Sequence, residues 1–369
     1  MKILFLCISE YSGHKSAMTA AMNAVIKTAP DAECHGLNFF NYIPKKIVKT
    51  IDGAYYSIIE KKPGIWSFLR DSNLVRNLIK PFEILFCFFI TIPFYFKILK
   101  NNKYDIIVCT QAFPCSCISL LKKCRLIKSK LIAIITDYNI NPYWIRNNID
   151  NFILPHDSLK TILTKKNIDE TKIKVFGIPI QDKFKTTSDI TSLKQKYNIK
   201  SDSFVILIMG GSLGLRGIED VTSSLKSEQN LHLIVSAASN TALENRLKQE
   251  YSEYKNITIL GYVDNVDQLM DISDILICKP GGGTVAEALA KGIKMITINP
   301  IPGQEEKNKD FLVKNNLSYF AETLEDIKNI ILQEKQKGSY TKKCSDHGFP
   351  NSAEHTANLI LRDVVIIVK

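Results

Sequence analysis

Short, nearly continuous apolar runs recur along the chain, and each is followed by a polar or glycine-rich loop. The first run is Ile3–Ile8, which leads through Ser9–Gly13 into small and apolar residues at helical spacing over Ser16–Thr28. An apolar run of this length is typical of a buried parallel strand, and the order strand, loop, helix is typical of a doubly wound domain. Further strands are predicted in the first half at Tyr104–Cys109, Leu131–Thr136, Phe152–Leu154 and Lys174–Phe176.

A second series of strands and helices follows Gly177–Ile180, whose Gly-Ile-Pro-Ile sequence predicts a hinge. The strands predicted in this series are Phe204–Met209, Leu231–Ser236, Ile257–Leu260, Ile275–Lys279 and Lys294–Ile298. The helices predicted there are Thr241–Glu250, Val266–Ile272, Val285–Lys291, Glu306–Asn315 and Leu324–Lys335. Two consecutive series joined by a hinge predict an α/β protein with two Rossmann-like domains that face a cleft.

One segment, Phe82–Phe96, is almost wholly apolar and is flanked by lysines. At about 15 residues it is shorter than the ~20 residues that a membrane-spanning helix needs. It also contains the charged residue Glu83, and Pro93 would break or kink a helix. A membrane span is therefore disfavoured. Two alternatives remain open: a buried helix, or an interfacial helix or loop that enters one leaflet, which the aromatic residues and the basic flanks favour.

The chain has 369 residues, a length that suits two α/β domains, and a net charge of +11. Its composition excludes a disordered, collagen-like or disulfide-stapled protein. Residues 1–150 contain 20 Lys and Arg against 10 Asp and Glu, whereas residues 151–369 contain 28 against 27, so the charge belongs to the N-terminal half. This positive charge suits a protein that binds nucleic acid or an anionic membrane surface. Nucleic acid is disfavoured because the sequence has no long basic run, RNP-type motif or zinc finger.

The nine cysteines are scattered, and several lie in strand-like runs. Cys115, Cys117 and Cys124 cluster, but without paired C-x-x-C motifs or a nearby histidine, so no metal site is expected. Free thiols suit a reducing cytosol. The first apolar run is about six residues long, which is too short for a signal peptide.

The glycine-rich turn in Leu276–Ala288 carries the clearest chemistry. A strand is predicted to end at Lys279, three glycines follow, and a helix is predicted to start at the Thr284 hydroxyl. The free N–H groups and the partial positive charge of a helix N-terminus bind phosphate. The carboxylate of Glu287, one turn later, can accept hydrogen bonds from two ribose hydroxyls. Thr284 and Glu287 can also form a capping box, and the two interpretations do not exclude each other. NTP hydrolysis is disfavoured because the turn lacks a Walker Gly-Lys-Ser/Thr.

The segment KPGGGTVAEALAKGIKMITINPIPGQEEKN resembles the donor-binding segment of the diacylglycerol glycosyltransferases. That family includes bacterial processive glucosyltransferases and plant monogalactosyldiacylglycerol synthases, and it is related to the peptidoglycan N-acetylglucosaminyltransferase of glycosyltransferase family 28. Residues 30–100 match the family poorly. Other motifs that resemble the family, in the family's order, are Gly13-His14-x-Ser16-Ala17, Val175–Ile180, Leu207–Gly211, Asn240–Leu243 and Leu260–Val263.

The resemblance implies a GT-B fold whose C-terminal helix packs back on the N-terminal domain. Residues 1–178, with about 355–369, would form the acceptor and membrane-facing domain, and 179–354 the UDP-sugar-binding domain. It implies transfer with inversion, no cofactor and no required metal. Carried over by motif, Glu287 holds the ribose, Gln304 and Glu305 bond the sugar, and Val263 meets uracil through its backbone. The other donor-binding residues implied are Gly211, Ser212, Lys279, Gly281, Gly282, Gly283 and Thr284.

His14 is the candidate general base, since it follows the first strand and a neutral imidazole can accept the proton of an acceptor hydroxyl. The alternatives are that it orients substrate or caps a helix beginning near Lys15. Asp137 ends another strand; it can orient or polarise His14, act as the base, or cap a turn. Gly13, Asn141 and Trp144 are expected on the acceptor side. Asn141 stands where the family often has His, and the loop before His14 has fewer glycines than usual, so acceptor identity is less supported than donor use.

The expected function is a peripheral, monotopic hexosyltransferase at the cytoplasmic face of the cell membrane. It would move a hexose from UDP-glucose or UDP-galactose to diacylglycerol or its monoglycosyl product, with an anionic membrane surface and no nucleic acid as partner. The alternatives are the same donor chemistry on a polyprenyl-linked or soluble acceptor, a nucleotide-sugar 2-epimerase, and a non-catalytic lipid-binding protein. For the epimerase, the sequence offers no acidic residues that can be placed for elimination.

Overall fold

A computed structural model describes residues 1–8, 12–45, 47–48, 86–210, 217–338 and 345–365. The chain divides into two compact units. The first comprises Met1–Gln181 with Asn351–Lys369, and the second comprises Asp182–Pro350.

Each unit is built on a parallel six-stranded sheet. The first sheet has the order β2-β1-β3-β4-β5-β6, with strands Lys2–Cys7 (β1), Glu33–Asn38 (β2), Ile106–Cys109 (β3), Lys130–Ile134 (β4), Asn151–Leu154 (β5) and Ile173–Val175 (β6). The second has the order β12-β11-β10-β7-β8-β9, with strands Phe204–Met209 (β7), Leu231–Ser236 (β8), Ile257–Leu260 (β9), Ile275–Cys278 (β10), Lys294–Thr297 (β11) and Tyr319–Phe320 (β12).

Helices connect the strands. They are Gly13–Thr28 (α1), Ala112–Lys123 (α2), Lys160–Thr164 (α3), Ile190–Lys196 (α4), Ile218–Leu225 (α5), Thr241–Glu250 (α6), Val266–Ile272 (α7), Gly282–Lys291 (α8), Gln304–Lys314 (α9), Leu324–Gln336 (α10) and Ser352–Val365 (α11). Residues 86–94 are also helical and continue as a π-helical turn, Tyr95–Leu99; residues 86–99 are called the aromatic helix below.

The first sheet is covered on both faces, which explains why its central strands are continuous apolar runs. Alternate residues of β1 enter different cores: Leu4 and Leu6 pack with the aromatic helix and α2, whereas Ile3 and Phe5 pack with α1 and α11. The C-terminal helix thus packs on the first unit through Ala357 and Ile360, as expected. The edge strand β2 was not predicted, because its sequence ECHGLN is polar and half-exposed.

Chain order reverses once within each sheet, between β1 and β3 in the first and between β7 and β10 in the second. In open α/β sheets, ligands bind outside the carboxyl ends of the strands at such a reversal. Ser12–His14 and Thr110 follow β1 and β3, while Gly210 and Lys279–Gly281 follow β7 and β10. Each unit therefore has one position where the topology favours a ligand.

The aromatic helix continues through Pro93 rather than ending there. Directly after the proline the hydrogen bonding changes to the wider π pattern, in which Lys100 N donates to Tyr95 O at 2.8 Å. One face of the helix is buried in the first core through Cys87, Ile90 and Phe94. Residues 82–85 of the predicted segment lie outside the described residues. In the part of the chain that the structure describes, no helix is both long and apolar enough to cross a membrane.

Candidate functional site

In the first unit, a chain of hydrogen bonds crosses the carboxyl ends of β1, β3 and β4. Nδ1 of His14 lies 2.5 Å from Oγ1 of Thr136. The same hydroxyl donates to the main-chain carbonyl of Thr110 at 3.1 Å. Residues more than 120 positions apart in sequence therefore meet at the reversal point of the sheet.

His14 sits in the first turn of α1, whose N-cap is Ser12; the Ser12 hydroxyl accepts from Lys15 N at 3.3 Å. The alternative that His14 itself caps the helix is therefore wrong. Burial lowers the pKa of His14, while the charge of Asp137 and the Thr110 carbonyl oppose that shift. The net direction is downward, so the imidazole is neutral near pH 7, and the positive end of α1 favours the same state.

Thr136 was not singled out from the sequence, although it directly precedes Asp137 and lies two residues after β4. It is the hydrogen-bond partner of Nδ1, whereas Asp137, which is half-buried, acts on the ring through its charge. The position of a hydroxyl residue at the end of a central strand was the available signal. The structure thus brings His14, Thr136 and Asp137 together.

The other residues expected on the acceptor side have different surroundings. Gly13 is exposed at the start of α1. The exposed Asn141 caps the turn Pro142–Trp144, since its side-chain oxygen accepts from Tyr143 N at 3.0 Å. Trp144 is only 3% exposed and packs in the core of the first unit, so it supports this turn from below. The loop residues 9–11 lie outside the described residues.

In the second unit, the glycine-rich turn becomes part of a helix earlier than expected. Helix α8 begins at Gly282 with Gly281 as its N-cap, and the Val285 N–H makes the bond to Gly281 O, at 3.0 Å. Thr284 is therefore the third helical residue, and the predicted start at Thr284 and its capping box with Glu287 are wrong. The N–H groups of Gly282, Gly283 and Thr284 have no partner within the helix.

The first turn of α9 brings a carboxylate to this turn. Oε2 of Glu305 accepts from Ile301 N at 2.7 Å, and Oε1 lies 3.8 Å from the position a Cβ on Gly281 would take. Glu306 caps the start of α9, since its Oε2 accepts from Gly303 N at 2.7 Å. Gln304 is exposed at the first position of α9. The structure thus brings Glu305 beside the glycine-rich turn.

Asn308 fixes α9 to the glycine-rich turn and was missed from the sequence. Its side chain is completely buried, and Nδ2 donates to the carbonyl of Pro280 at 3.0 Å. The available signal was a polar residue at i+4 from Gln304, on the face of α9 that also buries Leu312. Lys279 is half-buried directly before this turn; burial lowers its pKa and the charge of Glu305 opposes the shift.

A second ionisable cluster surrounds Glu287 on α8. Burial, together with the charge of Asp267, raises the pKa of Glu287 to about 7, while the charge of Lys183 opposes this. Lys183 Nζ lies 4.0 Å from Oδ1 of Asp267 and donates to the carbonyl of Asp264. Because Asp264 directly follows the half-buried Val263, Lys183 connects the residues predicted for ribose and for uracil. It was not identified from the sequence.

Two donor-binding predictions, Gly211 and Ser212, lie outside the described residues. Among the described residues, no group of three or more His, Cys, Asp or Glu side chains is arranged to hold a metal ion. The cysteines that the structure describes are free thiols, most of them buried.

Two family models match the chain. The model for monogalactosyldiacylglycerol (MGDG) synthase matches residues 14–180, and the model for the glycosyltransferase family 28 C-terminal domain matches residues 205–354. The processive diacylglycerol beta-glucosyltransferase of Staphylococcus haemolyticus is 31% identical over 281 residues, covering 73% of this chain and 70% of that protein. The enzyme of the same name from Bacillus licheniformis is 28% identical over 278 residues, with the same coverage.

Solved structures with the same fold include Acinetobacter baumannii MurG, with a TM-score of 0.62 and 16% identity over 98% of this chain and all of that chain. The Staphylococcus aureus MnaA–UDP co-structure has a TM-score of 0.64 and 13% identity, covering all of this chain and 98% of that one. These likenesses establish the two-domain α/β fold of the GT-B type. On the strength of its sequence relatives, the chain belongs to the family of diacylglycerol glycosyltransferases and monogalactosyldiacylglycerol synthases, within glycosyltransferase family 28.

Proposed function

We propose that this protein transfers a hexose from a UDP-sugar to a hydroxyl of diacylglycerol or of its monoglycosyl product, with inversion at the anomeric carbon. One observation carries the proposal: in the second unit, a helix N-terminus, the Glu305 carboxylate and the glycine-rich turn meet at the reversal point of a parallel sheet. The names of the curated relatives supply the acceptor class.

The second unit holds the donor. The N–H groups of Gly282, Gly283 and Thr284 and the positive end of α8 bind the diphosphate and stabilise its charge as UDP leaves. This supplies the leaving-group stabilisation that a metal gives in other transferases, so we propose no metal requirement. Glu287 accepts from the ribose hydroxyls, and the backbone at Val263 binds uracil. Gln304 and Glu305 bind the sugar, and Lys279, Gly281, Gly211 and Ser212 are the remaining donor-binding residues.

The first unit supplies the base. His14 is neutral near pH 7 because burial lowers its pKa, so it can take the proton of the acceptor hydroxyl as that oxygen attacks the anomeric carbon. The oxygen forms the new glycosidic bond while the bond to the diphosphate breaks, and UDP departs on the opposite side. The charge of Asp137 stabilises the imidazolium that forms.

The aromatic helix gives the first unit a surface suited to an anionic leaflet. Phe86, Phe89 and Phe96 of this helix are 46%, 65% and 52% exposed. Lys97 is exposed beside them, and Lys100 Nζ lies 5.0 Å from the centre of the Phe96 ring. Exposed aromatic side chains bordered by lysines insert into the headgroup region of anionic membranes. We propose peripheral, monotopic attachment at the cytoplasmic face of the membrane through this helix.

The test is a donor and acceptor screen with the purified full chain. UDP-glucose and UDP-galactose are each supplied with liposomes that contain or lack diacylglycerol, with and without EDTA, and products are identified by mass spectrometry. We expect hexosyl-diacylglycerol from one donor, with an unchanged rate in EDTA. Sugar transfer only to a polyprenyl-linked or soluble acceptor would refute the lipid assignment, and epimerised UDP-sugar without transfer would refute the reaction class.

A further inference from the structure

The hydroxyl of Thr136 has one proton, and its position is determined by its two neighbours. Thr110 offers a main-chain carbonyl, which can only accept, and Oγ1 of Thr136 lies 3.1 Å from it. The Thr136 hydroxyl therefore donates its proton to the hydrogen bond with the Thr110 carbonyl. Towards His14, at 2.5 Å, Oγ1 can then only present a lone pair.

This arrangement determines which ring nitrogen of His14 carries the proton. A lone pair on Oγ1 requires an N–H on the facing atom, which is Nδ1. If Nδ1 were unprotonated, Thr136 would have to donate to it, and the hydrogen bond from Oγ1 to the Thr110 carbonyl would be lost. The Nδ1–H tautomer keeps both hydrogen bonds of the Thr136 hydroxyl, and it leaves the lone pair of His14 on Nε2.

We propose that Thr136, held by the carbonyl of Thr110, is a positioning residue that fixes His14 in the Nδ1–H tautomer and so makes Nε2 the atom that receives the proton from the acceptor hydroxyl. The identity of that hydroxyl rests on the proposed function, but the tautomer does not.

A hydroxyl that is hydrogen-bonded to Nδ1 affects the pKa of the imidazole differently from a carboxylate at the same position. A carboxylate bonded to Nδ1 would raise the pKa of the imidazole strongly, whereas a neutral hydroxyl orients the ring without adding charge. The groups that act on the ring are Thr136 and Asp137 after β4, the Thr110 carbonyl after β3 and the N-terminus of α1. When Nε2 takes the proton, the Nδ1–H bond to Thr136 becomes charge-assisted and therefore stronger. Thr136 therefore supports the transition state more than the resting enzyme.

The tautomer can be measured without any activity assay. In protein labelled with 15N-histidine, long-range 1H–15N correlations distinguish Nδ1–H from Nε2–H imidazole, and the spectrum of His14→Gln assigns the His14 signals. We expect the Nδ1–H form in the wild type and in Thr136→Ser, and a substantial Nε2–H fraction in Thr136→Val. A wild-type His14 found mainly as Nε2–H would overturn the proposal, whatever the enzyme transfers.

Kinetics provide the second test. Thr136→Val keeps the shape of the side chain and removes its hydroxyl, so kcat should fall about ten- to a hundredfold, the usual value of a hydrogen bond to a charged group. The KM for the UDP-sugar should remain within about twofold. Thr136→Ser should recover most of the rate.

The matched control is Thr222→Val, which removes another completely buried threonine hydroxyl, bonded at 2.7 Å to the carbonyl of Ile218 in α5. It should leave kcat near the wild-type value. Equal kcat in Thr136→Val and wild type, or equal losses in the valine and serine variants, would overturn the positioning role. Absence of transfer by the wild type would instead refute the proposed function, and the tautomer measurement would still stand.

Discussion

Both units contain a parallel six-stranded sheet whose chain order reverses once, but their candidate sites consist of different chemical groups. In the first unit the site is a row of side chains from distant parts of the sequence, with His14 resting on Thr136 and Thr136 on Thr110. In the second unit it is largely main chain: the start of α8 and the turn that Asn308 holds in place, with Glu305 beside it. Side chains that titrate suit proton transfer, whereas fixed N–H dipoles suit a diphosphate.

This comparison predicts that the two sites can be damaged separately, and the largest effect belongs to His14. His14→Ala should lower kcat by about 10²- to 10⁴-fold, the usual contribution of a general base. The Kd for UDP, measured by calorimetry, should not change, because the proposed donor site lies in the other unit. The control is His156→Ala, which removes another half-buried histidine of the first unit. Full turnover in His14→Ala would show that His14 is not the general base.

The second prediction concerns the pH dependence that Glu287 gives to the second unit. Burial raises its pKa to about 7, whereas the ordinary value is 4.5, so the folded state binds more protons between these pH values. This contribution to the free energy of unfolding is therefore present below pH 4.5 and falls as the pH rises to 7, by ~3 kcal/mol in all. Glu287→Gln should remove this slope in urea titrations.

The same carboxylate should couple proton release to nucleotide binding. A ribose needs an acceptor at Glu287, so the affinity for UDP should rise as the pH passes through about 7, and binding should release a proton. Calorimetry in buffers of different ionisation enthalpy measures that proton. Glu287→Asp is the informative comparison, since it keeps the charge but shortens its reach. Affinity independent of pH in the wild type would exclude Glu287 from the ribose site.

The third prediction tests whether Asn308 shapes the diphosphate turn. Asn308→Leu leaves the Pro280 carbonyl buried without its donor, which should lower the free energy of unfolding by about 1–3 kcal/mol. It should also weaken UDP binding by about tenfold, because the turn loses its support. Asn315→Leu is the control: it removes a similar bond, from Nδ2 to Phe311 O at 2.7 Å, at the other end of α9. That variant should lose stability but keep its UDP affinity.

The same contrast explains what could be predicted from the sequence. Strands such as β1, β3 and β10 were found because they are buried on both faces and read as continuous apolar runs. The edge strands β2 and β12 were missed, since half-exposed strands need no apolar run and β12 has only two residues. The donor residues lie in one contiguous motif, whereas Thr136 reaches His14 only through tertiary contact across 122 positions. Lys183 and Asn308 were missed because their partners are main-chain carbonyls, which no motif records.

The smallest expected effect concerns the surface of the first unit. Phe89 is 65% exposed, and moving a phenylalanine from water into the headgroup region gains about 1.5 kcal/mol or more. Phe89→Ser should therefore weaken binding to vesicles with anionic lipid by roughly tenfold in a sedimentation assay. Leu332→Ser, which removes a 48% exposed leucine from the second unit, should have no effect. Because Lys97 and Lys100 border the aromatic face, salt should weaken wild-type binding as well. Equal losses of vesicle binding in the two variants would mean that membrane binding is not confined to the aromatic helix. The two units would then differ in their ligand sites but not in their attraction to lipid.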